Sequence, residues 1–291
     1  MDHETPSLEV PRKVLSVIFH LLPILSFKFH VKKCRCWNCR EDAKFLDPFI
    51  LLDEFTVSSP AGFPDHPHKG FEAITYMLEG AFATQDFNGH KSILKAGDVQ
   101  WLNTGRGIIH SEMSAAEGQN KALQLWINLS SEHKMLEPRS MEVESRDVAR
   151  VEKGDFNVAV IVGESHGVRS AVDTVTPIMF LDFTLKPGAQ VRQGVPRSWN
   201  AFAYVLEGEG VFGHPGAPPA TEFQAVLLGD GDGVEVWNHS SEKSLRFLLI
   251  GGLPVGEPVV HRGPFVMNTE AEVEEAIQDF RNNRNGFQRR S

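Results

Sequence analysis

"ITYMLEG" (residues 74–80) and "FAYVLEG" (residues 202–208) match at Tyr, Leu, Glu and Gly, and each has the form of an apolar strand closed by a glycine turn. After each comes a further strand and then a Gly-Asp turn: "AGDVQWLN" (96–103) in the first half of the chain, "GDGVEVWN" (231–238) in the second. A repeated order of this kind means two copies of one small barrel. The pattern persists outward from these copies. From "FLDPFILLDEF" (45–55) onward, short apolar runs alternate with Gly, Pro, Asn and Asp, and helical periodicity is nearly absent before residue 269. The expected fold class is all-β, two antiparallel β-barrels with one C-terminal helix.

The helix is expected over 269–283. Thr269 and Glu272 form a capping-box pattern, Val273, Ala276, Ile277 and Phe280 fall on one face, and Asn285-Gly286 supplies a stop. Four segments follow. Residues 1–44 are an atypical N-terminal segment, 45–133 the N-terminal barrel, 134–150 a charged linker with Pro138, and 151–291 the C-terminal barrel with its helix.

A chain of 291 residues with 41% hydrophobic content has enough apolar surface for two cores. The formal net charge of −9, with no sizeable basic patch, argues against direct nucleic-acid binding, so a role near nucleic acid would run through a protein partner. The three cysteines, Cys34, Cys36 and Cys39, all lie in "CRCWNC", which fits a reducing compartment. With His30 they make a poor zinc pattern, because Cys-x-Cys-x2-Cys is not a usual spacing. "VLSVIFHLLPILSFKF" (14–29) is interrupted by His20 and Pro23, lacks a small-residue cleavage site and is short for a span, so neither secretion nor membrane insertion is expected.

The chemistry is concentrated in "GFPDHPHKGFEAITYMLEG" (62–80) and "NTGRGIIHSEM" (103–113). His66 and His68 stand at i and i+2, so on a strand they point to one face; His110 and Glu112 repeat the spacing. Pro67 stiffens the first pair and is tolerated on an edge strand. Gly105 and Gly107 shape the turn that aims His110, with Arg106 between them read as solvated. Three imidazoles and one carboxylate form a sulfur-free set suited to a divalent first-row metal, and ligand type alone leaves the metal open. Laying "FAYVLEG" on "ITYMLEG" puts Gly194 and Pro196 where His66 and His68 stand, and no His-x-Glu follows "VEVWN". One metal per chain is therefore expected, with His214 and His239 at the surface.

Together, "LDPFILLDEF", "GFPDHPHKGFEAITYMLEG", "AGDVQWLNTGRGIIHSEM", "LQLWINL" and "GPFVMNTEAEVEEAIQDFRNNRNGF" resemble the pirin family of bicupins, from about Phe45 to Phe287. The resemblance implies two jelly-roll cupin barrels, with Fe(II) in the N-terminal one only. Its ligands, carried over position by position, are His66, His68, His110 and Glu112. Nuclear and cytoplasmic regulators that bind transcription-factor or signalling proteins are implied, with the iron's redox state tuning that binding. Also implied for several members is a quercetin (flavonol) 2,3-dioxygenase activity, in which Glu112 would be the catalytic base as well as a ligand. A monomer is the simplest expectation.

The resemblance stops ahead of Phe45. "PRKVL" (11–15) still looks like the family's start, which confines the departure to the interval between Leu15 and Lys44. An exposed apolar run of this kind is an aggregation liability, which favours a retained intron or frame slip over a variant N-terminus.

Overall fold

The computed structural model describes residues 8–18, 31–37 and 46–288. The strands of the first half are β1 (Val14–Ile18), β2 (Val31–Trp37), β3 (Phe49–Ser58), β4 (Gly62–His68), β5 (Phe71–Glu79), β6 (Ala81–Asp86), β7 (Lys91–Lys95), β8 (Val99–Asn103), β9 (Ile108–Ser114), β10 (Gln119–Asn128) and β11 (Arg139–Val143). Those of the second are β12 (Ala149–Lys153), β13 (Phe156–Val162), β14 (Glu164–Ser165), β15 (Val168–Arg169), β16 (Ile178–Leu185), β17 (Gln190–Gly194), β18 (Asn200–Glu207), β19 (Glu209–Phe212), β20 (Ala220–Thr221), β21 (Ala225–Leu228), β22 (Gly233–Trp237) and β23 (Leu245–Gly252). The chain closes with β24 (Val260–Arg262), β25 (Phe265–Met267) and the helix α1 (Glu270–Arg281).

The fold is all-β, and each half is a jelly roll of separate sheets rather than a closed barrel. The N-terminal jelly roll has a six-stranded sheet, β11-β8-β5-β10-β3-β2, and a four-stranded sheet, β4-β9-β6-β7. Phe55, Phe71, Met77 and Trp126 from the larger sheet meet Phe82, Leu94 and Ile108 from the smaller one in its core. The C-terminal jelly roll repeats the plan with β1-β21-β18-β23-β16-β13-β12 and β17-β22-β19-β20. Here Phe183, Phe212, Val234, Val236 and Phe247 are among the core residues.

The two quoted copies occupy equivalent places: β5 lies between β8 and β10, and β18 between β21 and β23. Their shared glycines, Gly80 and Gly208, both adopt positive φ (74° and 79°), where a side chain would be strained. The equivalence expected between "AGDVQWLN" and "GDGVEVWN" is corrected by one strand. The neighbour of β18 in the position of β8 is β21, whereas "GVEVW" forms β22 and stands in the place of β9.

The chain divides into two compact units, Met1–Leu21 with Val148–Pro254 and Leu22–Asp147 with Val255–Ser291. This differs from the expected limits of 45–133 and 151–291. β1 pairs antiparallel with β21 and so joins the C-terminal jelly roll, an exchange that apolar alternation alone does not reveal. In the other direction, Val255 and Gly256 donate their backbone N–H groups to the Asp47 carboxylate, at 2.9 and 2.7 Å, and the following segment returns to the N-terminal jelly roll. The expected linker also contains β11, whose pairing with β8 extends the larger sheet.

Within the atypical segment, β2 pairs with β3 in a register that sets Cys34 opposite Phe55 and Cys36 opposite Asp53. His30 and Cys39 lie outside the described residues, as does most of the apolar run. No described helix is long and apolar enough to cross a membrane. α1 begins as the sequence indicates, with both halves of the Thr269–Glu272 capping box formed, but it ends at Arg281 with Asn282 as C-cap. Val273 and Ala276 are buried and Ile277 and Phe280 partly so, against Ile109, Phe265 and Met267.

Candidate metal centre

β4 and β9 are antiparallel neighbours in the four-stranded sheet, with β4 at its edge. Edge placement is what lets Pro67 sit between the two histidines without costing a ladder bond. The register makes His66 and His110 Cα partners, and a shift between Phe63 and His66 sets Glu112 opposite Phe63. Alternation then turns His66, His68 and His110 to one face.

Their ring centroids stand 4.4 Å (His66 to His110), 4.7 Å (His66 to His68) and 4.9 Å (His68 to His110) apart. One ring nitrogen of each lies within 4.8 Å of the others. His66 Nδ1 is 2.9 Å from the Pro64 carbonyl oxygen, an acceptor only, so this nitrogen carries a proton, and in the neutral ring Nε2 has the lone pair. That lone pair faces His68 Nε2 at 3.0 Å. His68 Nδ1 and His110 Nε2 are buried without a hydrogen-bond partner. Burial, reinforced by the neighbouring imidazoles, holds the pKa of His68 and His110 well below the ordinary histidine value. Converging imidazoles, two of them held neutral by burial and each of those with a buried nitrogen that no protein group satisfies, are what a divalent cation needs, so the residues fit a metal.

Glu112 is placed differently. It shares the face of His110, but the cluster of mutually close ligand atoms consists of the three imidazoles. Gln124 Nε2 donates to both of its oxygens, at 3.3 and 3.2 Å, and the Thr75 hydroxyl donates to one at 3.4 Å. Burial raises its pKa, while His66 and these two donors pull it down. Gln124 is oriented in turn by Trp126, whose indole N–H donates to its Oε1 at 2.8 Å. The Trp126 ring stacks on Phe71 at 4.1 Å and stands edge-on to His68 at 5.0 Å. Thr75, Gln124 and Trp126 were missed by sequence reasoning. The available signal was a polar Gln on the inward face of the apolar strand "ALQLWINL", between Ala122 and Trp126.

The second jelly roll shows what happens without ligands. β17 pairs with β22 so that Gln193 faces Val234, while Val236 faces Phe212 on β19 as Glu112 faces Thr84 on β6. By this register Gln193, Val195, Val234 and Val236 stand where His66, His68, His110 and Glu112 stand. The expected counterparts Gly194 and Pro196 are corrected by one residue, because the loop before β18 is longer than that before β5 and a one-residue slip exchanges the faces. Three of the four counterparts are valines buried in the core. His214 and His239 are exposed, as expected, and Arg106 pairs at 3.1 Å with Glu137.

Two family profiles match the chain: "Pirin" over residues 30–127 and "Pirin C-terminal cupin domain" over residues 180–286. Pirin-like protein 2 of Arabidopsis thaliana is 58% identical over 253 residues, covering 86% of this chain and 78% of the relative. The chain belongs to the pirin family. A pirin-like protein of Solanum lycopersicum is 56% identical over 250 residues, 86% of each chain. Among solved structures, a quercetin 2,3-dioxygenase from Acinetobacter baumannii superposes with a TM-score of 0.85 at 28% identity, over 94% of this pirin and 98% of that chain. The bicupin architecture is thus common to the family member described here and to an enzyme of known fold.

Proposed function

We propose that this pirin holds one divalent metal, Fe(II), through His66, His68 and His110 with Glu112 as fourth ligand, and uses it to tune binding to transcription or signalling proteins in the nucleus and cytoplasm. The observation that carries the metal is the converging three-histidine cluster, with His68 and His110 buried and with unsatisfied His68 and His110 nitrogens. The regulatory role is supported by the family resemblance and by the burial of His68 and His110, at 3% and 5% exposure, which leaves only His66 partly open to solvent.

A bound iron would supply a Lewis-acidic, redox-active charge inside the N-terminal jelly roll. The protein's share is to keep the His68 and His110 imidazoles neutral by burial, to fix His66 through the Pro64 carbonyl and to hold the Glu112 carboxylate with Gln124 and Thr75.

A second reading, flavonol 2,3-dioxygenase, is favoured by the likeness to the Acinetobacter quercetin 2,3-dioxygenase over nearly the whole chain. In it Glu112, whose basicity burial raises, takes the proton of the flavonol hydroxyl. One experiment separates the two. Purified protein is loaded anaerobically with Fe(II) and offered quercetin in oxygenated buffer, beside the His66→Ala/His68→Ala double variant. One iron per chain without quercetin-dependent oxygen uptake supports the regulator; uptake that the double variant loses supports the dioxygenase. Absence of bound metal in the wild-type protein overturns both.

A further inference from the structure

The strand carrying His66 and His68 does not end freely. At Lys69 its main chain is taken over by the C-terminal segment: the Lys69 N–H donates to the Pro264 carbonyl at 3.1 Å, and the Val266 N–H donates to the Lys69 carbonyl at 3.0 Å. Gly70 (φ 89°) allows this approach, since a Cβ there would collide with the Val266 carbonyl oxygen. The Lys69 side chain runs to α1, where its ammonium meets Asp279 Oδ2 at 3.2 Å with both side chains at most 3% exposed. Asp279 is satisfied on its other oxygen by Arg284 Nε at 2.8 Å and Asn285 Nδ2 at 2.9 Å. The second ligand strand is held by the same segment. Phe287 lies against Gly107 so closely that a Cβ there would stand 2.8 Å from the ring, and Ile109, next to His110, packs among Phe265, Met267 and Val273.

The geometry points to a clasp: Pro264, Val266, Asp279 and Phe287 brace the two ligand strands of the metal centre, and the Lys69–Asp279 pair is its positioning element, setting the end of β4 that carries His68. A buried ion pair contributes little net stability but enforces one arrangement, and here the arrangement enforced is that of the residue following a ligand. Partners beyond the ligands commonly govern metal affinity in this way. The inference rests on the metal reading above and adds a requirement to it.

The test uses the full-length protein and Co(II) as probe, read by its visible absorption, with Lys69→Met, Asp279→Asn, the double variant and the capping variant Thr269→Ala. Asp279→Asn keeps the side-chain shape and an acceptor for Arg284, so it stays informative should Lys69→Met fail to fold. Each single variant is expected to weaken Co(II) binding by about tenfold and to alter its spectrum. The double variant is expected to be no weaker than either single one, as for two residues acting as a pair. In metal-free protein, deuterium uptake at residues 66–70 is expected to rise in Asp279→Asn. Thr269→Ala, which loosens α1 away from Lys69, is expected to lower thermal stability while leaving affinity and spectrum unchanged. Unaltered Co(II) binding in Asp279→Asn, or an equal loss in Thr269→Ala, overturns the clasp while leaving the metal reading intact. No Co(II) binding by the wild-type protein overturns both.

Discussion

His66 and His110 are Cα partners across β4 and β9, with their rings 4.4 Å apart, so the metal centre depends on one strand pairing and its register. A ligand set split between two strands forms only when the sheet has formed. Metal affinity and folding are therefore linked.

Metal should stabilise the chain measurably. A ligand that binds only the native state at a free concentration about 100 times its Kd adds about 2.7 kcal/mol. For jelly rolls of this size that is roughly 2–4 °C in Tm per kcal/mol. Differential scanning calorimetry with and without anaerobic Fe(II) should show the rise, and His110→Ala should abolish it. A His110→Ala protein that still gains several degrees would place the metal elsewhere.

Gly107→Ala tests the turn that aims His110. The residue has φ 133°, and the added methyl group would meet the Phe287 ring at 2.8 Å. Gly89, also at positive φ, has open space around its would-be Cβ. Both substitutions pay the backbone strain, of about 1 kcal/mol or more, but only Gly107→Ala pays the collision as well. Urea unfolding should rank Gly107→Ala below Gly89→Ala, and metal affinity should fall only in the former.

What the sequence made legible follows from what is local. The i, i+2 spacing of His66 with His68 and of His110 with Glu112 needs only the strand period, and the capping box of α1 needs four consecutive residues. The duplicated "LEG" turns were legible because glycine at positive φ leaves a mark in the chain. What escaped was set at long range. β1 crosses to pair with β21, and Asp279, a charged residue on an otherwise apolar helix face, is buried because Lys69 lies 210 positions away. The face of β17 was misread because loop length, not strand pattern, fixes which of Gln193 and Gly194 points inward.

Lys134 should give the native state a pH signature. Its ammonium donates to the Gly70 and Val266 carbonyls and to Asn128, at 2.8 to 3.0 Å, and burial, outweighing the charges of Glu257 and Glu272, pushes its pKa down to about 8. The unfolded chain holds this proton up to about 10.4. Between those values the unfolded state binds more protons, so stability rises with pH across the window, by an amount on the order of 3 kcal/mol. Lys134→Met should be less stable at neutral pH, with three acceptors left unfilled, but its stability curve from pH 8 to 10.4 should be flatter than that of the wild-type protein. Parallel curves would show that Lys134 keeps its charge throughout.

Glu112 and Gln124 should separate ligand from support. The three imidazoles converge without the carboxylate, which Gln124 and Thr75 hold in the interior, so Glu112→Gln is expected to weaken metal binding by about 10–100-fold rather than abolish it. Gln124→Leu removes two hydrogen bonds from a buried carboxylate and strands the Trp126 indole N–H beside His68. With its donors gone, Glu112 loses the interactions that oppose the effect of burial and its pKa should rise further, so metal binding in this variant should demand a higher pH than in the wild-type protein. Isothermal titration with metal at two pH values, on both variants, tests the pair. A Gln124→Leu protein whose affinity and pH dependence match the wild-type values would mean that Glu112 takes no part in holding the ion.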